Sequence, residues 1–160
     1  SKLIIESFLK SNSKKILVVV GDVPYKDDYA NDTKLLSSKK VVFTSYINNQ
    51  VDLTVLYNNC YGYIHGHEFG GTNPTMINAL SLNCQIIALD TIFNKEMLEN
   101  NYSVLFKKNS ITKKINEFED IYDELIQKNI SYVLPKKYDW EFIVKQYLEV
   151  FYSLTNYQNM

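Results

Sequence analysis

The order of apolar and polar positions along this chain alternates between two periods. Ile16–Val20 (ILVVV) is an unbroken apolar run closed by Gly21, the pattern of a short strand buried on both faces. Val41–Thr44, Gly62–Ile64, Gln85–Leu89 (QIIAL) and Val104–Phe106 read as further short strands. Between them lie stretches of helical spacing, around Asp28–Ser38, Val51–Asn59, Thr75–Leu82 and Lys95–Asn100. Strands separated by helices predict right-handed crossovers and a parallel sheet covered on both sides. The expected fold class is therefore α/β, a Rossmann-like parallel sheet flanked by helices.

The ends depart from this rhythm. The chain opens with an amphipathic helix, Lys2–Leu9, where a doubly wound domain starts with a strand; the expectation is that the first strand lies upstream. After Phe106 the pattern is helical only, in Ile111–Gln127 and Asp139–Leu154, separated by an extended SYVLPKK segment around Pro135. Asp139 suits an N-cap. Trp140, Phe142, Ile143, Tyr147 and Phe151 recur at helical spacing and are expected to pack back over the sheet. With no internal repeat or linker, residues 1–160 read as one domain with a C-terminal helical extension.

Composition narrows the function classes. A chain of 160 residues with 46% hydrophobic content can bury one good core. No run approaches the ~20 apolar residues a membrane span needs, and the N-terminus is too polar for a secretory signal, so the expected compartment is the cytoplasm. The net charge of −1 lacks the basic surplus of a nucleic-acid binder, and no nucleic-acid partner is expected. All 17 basic residues are lysine. Without arginine forks, phosphates would be met by lysine point charges and backbone N–H groups. Cys60 and Cys84 have no metal-type spacing and sit at helix–strand junctions, which reads as buried free thiols in a reducing compartment.

In open parallel sheets ligands bind beyond the carboxyl ends of the strands, here Gly21–Pro24, Thr44–Ile47, His65–Asn73 and Asp90–Asn94. The third is the richest, within YIHGHEFGGTNPTMINAL. Gly70 and Gly71 permit positive φ and close approach of the backbone to a ligand. Thr72 and Asn73 are good caps, and Pro74 suits the first helical turn. The free amides and positive dipole end of such a helix favour a diphosphate; the alternative is an ordinary strand-to-helix turn. His65 and His67 have the i, i+2 spacing that points both the same way. They could contact a ligand phosphate, make structural hydrogen bonds, or ligate a metal, with Glu68 the one near third ligand. Glu68 could instead orient His67, bond a ligand, or be solvated. Asp22 suits loop capping better than the alternative of ligand contact. Asn94 and Glu96 fit helix capping or ligand contact equally, Lys95 a cleft cation or a solvated lysine, and Tyr46 base stacking or partial packing. Lys107–Lys108 and Lys113–Lys114 read as solvated faces. A flavodoxin-like receiver would need clustered acids at the strand ends, where this chain has glycine and histidine.

The segment Tyr63–Met97 resembles the signature region of bacterial glycosyltransferases related to the rhamnosyltransferases of capsule and O-antigen (lipopolysaccharide) assembly. The resemblance is carried by His65-Gly66-His67, Gly71-Thr72-Asn73-Pro74 and Phe93-Asn94-Lys95-Glu96, and extends from LVVVGD near Val18 to YDWEFIVKQY around Trp140. It implies the C-terminal, donor-binding half of a GT-B fold that transfers a sugar with retention from a dTDP- or UDP-linked donor to a growing surface polysaccharide. The nucleotide sugar is substrate, and neither a cofactor nor an essential divalent metal is implied. The backbone of Gly71, Thr72 and Asn73 would hold the diphosphate, Thr44 and Tyr46 would border the base, and Gly70, Asn78 and Asn94 would line the donor site. His65, His67 and Glu68 would lie near the sugar and leaving-group phosphate as catalytic candidates. A glycan or lipid-linked acceptor would be met through an N-terminal domain, with peripheral contact at the inner membrane face. Asn78 stands four residues after the motif proline, where such families carry a glutamate on the ribose; an amide cannot act as an anionic double acceptor. That departure favours the alternative, a noncatalytic glycosyltransferase-like scaffold.

Overall fold

The computed structural model describes residues 1–21 and 28–157. The Asp22 capping assignment, with the rest of Gly21–Pro24 beyond Gly21, lies outside the described residues. In chain order the elements are α1 (Lys2–Leu9), β1 (Leu17–Val20), α2 (Asp28–Lys34), β2 (Val41–Thr44), α3 (Gln50–Asn59), β3 (Tyr63–His65), α4 (Pro74–Ser81), β4 (Ile86–Leu89), α5 (Ile92–Met97), β5 (Val104–Phe106), α6 (Ile111–Asp120), α7 (Tyr122–Asn129), a 3-10 turn (Lys136–Tyr138) and α8 (Trp140–Tyr157). Every ladder between named strands is parallel. The α/β class expected from the alternating pattern is therefore the observed one, and it is consistent with a Rossmann-like half of a GT-B fold.

The strands form two sheets rather than the single expected one: β1 pairs β2, and β4 lies between β3 and β5. β4 is buried along its whole length and separates two cores. Successive strand residues point to opposite faces, so Ile87 and Leu89 join Val104, Phe106, Ile5, Phe8, Ile111, Ile115 and Phe118 on one side. Ile86 and Ala88 join Met76, Ala79, Leu80 and Met97 on the other. Leu17, Val19 and Phe43 pack against the first core, where Val41 is fully buried. α1 is tied to α6, with Thr112 Oγ1 donating to the Ser7 carbonyl at 3.1 Å.

Three expectations are corrected. β1 is not buried on both faces: Leu17 and Val19 turn inward while Val18 and Val20 remain exposed, because the described residues leave its outer side uncovered. The segment Ile111–Gln127 is two helices broken at Ile121 (φ −104°, ψ 12°). The break brings Tyr122 flat against Tyr61, ring centroids 3.8 Å apart, while the Phe118 edge meets the same Tyr61 ring. The last helix does not pack over the sheet. Asp139 caps it as expected, accepting from the Phe142 amide at 3.1 Å, yet Trp140 is 77% and Tyr147 62% exposed, and Phe142 and Phe151 are exposed as well. The cause is that α1 with α6 and α4 with α5 already fill the two faces of the β3–β4–β5 sheet. Among the described residues no helix is long and apolar enough to cross a membrane.

Candidate functional site

β3 delivers its last residue, His65, opposite Ala88 of β4, and only 3% of His65 is exposed. The chain then turns outward through Gly66–Thr72 and re-enters as α4. Asn73 is the N-cap expected from the sequence: its side chain accepts from the Thr75 amide at 3.0 Å, and Pro74 occupies the first turn. Positive φ occurs at Gly70 (+124°) and not at Gly71. Added Cβ atoms at Gly70 and Gly71 would meet nothing within 4 Å, so both peptides border open space.

A hydrogen-bonded chain runs inward from this cap. Thr75 Oγ1 donates to Asn73 Oδ1 at 2.7 Å. Tyr63 Oη lies 2.7 Å from Thr75 Oγ1 and 3.3 Å from His65 Nδ1. Its protons can be ordered. Asn73 must present oxygen to the Thr75 amide, so the Thr75 hydroxyl spends its proton on that oxygen and accepts from Tyr63. Tyr63 has one proton, so His65 Nδ1 carries the hydrogen that closes the chain. The other ring nitrogen, Nε2, is then a bare lone pair, buried and without a partner. Burial, and secondarily the His67 ring, push the His65 pKa down to about 4, so the ring is neutral at pH 7. His67 is exposed and its ring stacks near that of His65, centroids 5.8 Å apart at 25°; the two rings share one side, as their spacing predicted.

The loop is held to the sheet by Asn94, which is 3% exposed. Its Nδ2 donates to the His67 carbonyl at 3.0 Å and to the Leu89 carbonyl at 2.8 Å. Two carbonyl acceptors fix the orientation of the amide. Asn94 is not a cap; that role belongs to Thr91, whose side chain accepts from the Asn94 amide. Lys95 pairs with Asp90 at the end of β4, and Glu96 faces Lys137 at 3.9 Å. Glu68 bonds neither histidine: both its oxygens take Lys108 Nζ, at 2.7 and 2.8 Å.

His65, His67, Glu68, Gly70, Gly71, Asn73 and Asn94 line one shallow hollow, together with Phe69 and Phe93. Thr72 lies in the same turn outside that lining. Thr44, Tyr46 and Asn78 do not line it. Thr44 ends β2 with a buried Oγ1 that has no partner, Tyr46 is 71% exposed in the following loop, and Asn78 sits on α4, a turn in from its cap. Among the described residues, the amides of Gly70, Gly71 and Thr72 donate to no protein acceptor, while Asn73 N–H meets the weak acceptor Met97 Sδ at 3.3 Å. Two features are not evident in the sequence. Lys108, expected on a solvated face, reaches the loop; its place just beyond the carboxyl end of β5 is the signal that could have found it. The Tyr63–Thr75 link depends on how β3 and α4 meet, which no local pattern encodes.

Residues 2–133 match the family model for glycosyl transferases, group 1. The chain belongs to this family. The glycosyltransferase match takes in every element from α1 to α7 and ends before the 3-10 turn and α8. No curated protein matches this group 1 glycosyltransferase chain.

Proposed function

We propose that this domain is the donor-binding half of a two-domain GT-B enzyme and holds a nucleoside-diphosphate sugar over the Gly70–Thr72 turn. The observation that carries the reading is a pair of unmet needs side by side. The turn offers backbone donors with no protein acceptor, and His65, in the adjoining hollow, has a buried acceptor with no donor. A diphosphate supplies acceptors for the amides, and a sugar hydroxyl supplies a donor for His65 Nε2. The dipole end of α4 adds positive potential where negative charge grows on the leaving diphosphate, whereas the Lys108 charge is already met by Glu68. His67 and Glu68 stand at the same hollow and are the further candidates for contact with the sugar. Thr44 and Tyr46 border the base in this reading, and Asn78 meets the ribose with a neutral amide.

The finer assignment, retaining transfer of rhamnose from a dTDP- or UDP-linked donor to a surface polysaccharide, is supported by the HGH, Gly-Thr-Asn-Pro and Phe-Asn-Lys-Glu resemblance. The acceptor, a glycan or lipid-linked sugar, would be presented by the other domain. A noncatalytic scaffold is the second reading, favoured by Asn78 and by an α4 whose first-turn amides are met by Asn73.

Titration of the 15N-labelled protein with UDP and dTDP tests the proposal. Saturable shifts at Gly70, Gly71 and Thr72 are expected for donor binding. No shift there up to millimolar nucleotide would sink it in favour of the scaffold.

A further inference from the structure

At the opposite, amino-terminal edge of the β3–β4–β5 sheet a groove of about 350 Å³ opens between α3, α4 and α7. Cys60 and Cys84 lie in its wall, with Tyr57, Leu82, Tyr122 and Ile126 around them. Their sulfurs are 3.7 Å apart, and the Cys84 thiol also reaches the Tyr57 carbonyl at 3.3 Å. Cys60 is half-buried and Cys84 buried, so a small reagent in the groove meets Cys60 first. Both residues stand outside regular elements. Cys60 caps α3 with extended backbone, and Cys84 follows Asn83, a residue at φ 56° in the turn before β4. Disulfide formation needs the sulfurs at about 2.05 Å, an approach of roughly 1.7 Å from the 3.7 Å observed.

We propose that Cys60 and Cys84 form a dithiol modification site that small thiol disulfides oxidise through this groove, with Cys60 attacking and Cys84 resolving. The Cys60 thiolate attacks one sulfur of the reagent disulfide, forming a mixed disulfide and expelling one reagent thiolate. Cys84, deprotonated, then attacks Cys60 Sγ, forming the protein disulfide and expelling the second reagent thiolate. Two protein thiols are oxidised, one reagent disulfide is reduced to two thiols, and the two protein protons leave on those thiols. The order of attack follows from access and from the hydrogen bond between the sulfurs, which holds the Cys60 thiol below its ordinary pKa and, with burial, pushes Cys84 up. The bond closes a loop over residues 60–84, which contains His65, the Gly70–Gly71 turn and Asn78.

The test is incubation of the folded protein with glutathione disulfide at pH 8, acid quenching, and intact-mass and peptide analysis. The expected product is a single species lighter by two hydrogens and free of glutathione. Cys84→Ser is expected to retain one glutathione on Cys60, and Cys60→Ser to react at least about tenfold more slowly. The proposal is overturned if both thiols persist under conditions that oxidise the urea-unfolded chain, if the unsubstituted protein keeps a stable glutathione adduct, or if the two variants react equally fast. Limiting iodoacetamide on the unsubstituted protein is a check independent of variant folding. Alkylation at Cys60 ahead of Cys84 supports the assignment, and equal labelling overturns it.

Discussion

Lowering the pH from 7.5 to 4.5 asks the fold to accept a proton on a ring it holds neutral. His65 is 3% exposed and its pKa lies near 4 rather than 6.5. The unfolded chain therefore binds more protons than the native one between those values, and stability falls as the pH falls. The contribution is fully present above about pH 6.5 and lost progressively toward pH 4. Holding the ring near pKa 4 rather than 6.5 corresponds to a contribution on the order of 3 kcal/mol, most of it lost by pH 4.5. That is a large share of an ordinary domain's stability of ~5–15 kcal/mol. Carboxylates also titrate in this window, so the measurement is a difference. Urea unfolding of the unsubstituted protein and of His65→Gln is followed at pH 7.5, 6.0 and 4.5. Between pH 7.5 and 4.5 the unsubstituted protein should lose about 2–3 kcal/mol more stability than the variant. The chain has two histidines, so the variant also assigns the imidazole signals by elimination, and long-range 15N spectra should report a proton on Nδ1. Parallel stability curves, a titration midpoint near 6.5, or a proton on Nε2 would each refute the reasoning.

Three further outcomes are expected. Asn94→Ala leaves the His67 and Leu89 carbonyls without their buried donor and should cost about 2–3 kcal/mol in chemical denaturation; a loss under 1 kcal/mol would mean the loop is held by something else. Gly62→Ala would set a Cβ 2.6 Å from the Phe118 ring and should destabilise by ~1–3 kcal/mol, whereas Gly71→Ala, with open space around it, should stay within about 0.5 kcal/mol while weakening the nucleotide shifts. Truncation after Asp139 removes a helix whose large apolar side chains are mostly exposed, so the melting temperature should move by no more than about 3 °C; a larger drop would show that α8 is packed in solution.

The strands were legible because a β-branched run bounded by turn residues suits little besides a strand, and β4 in particular showed its burial in QIIAL. What the pattern could not carry was coverage. The apolar stripe of α8 states that a face exists, not that a sheet has room for it, and the outward valines of β1 have the same ambiguity. At the site, the Asn73 cap and Pro74 were readable because capping is local. Glu68 was not, since its partner Lys108 lies beyond another strand end, and Asn94 disclosed its tethering role only through one carbonyl of the loop beyond β3 and one of β4. The paired sulfurs were likewise invisible: Cys60 and Cys84 are separated by a whole strand and helix, and the register of β3 on β4 brings them together.

Asn94 divides the loop beyond β3 into two unequal parts. One amide grips the His67 carbonyl and the sheet at once, so the histidine portion is already in place before any ligand arrives. Beyond that tether, Gly70, Gly71 and Thr72 present amides that meet no acceptor among the described residues. Fixing a backbone residue costs roughly 1–2 kcal/mol, so a guest gripped there pays less entropy for each loop residue that the Asn94 amide already holds.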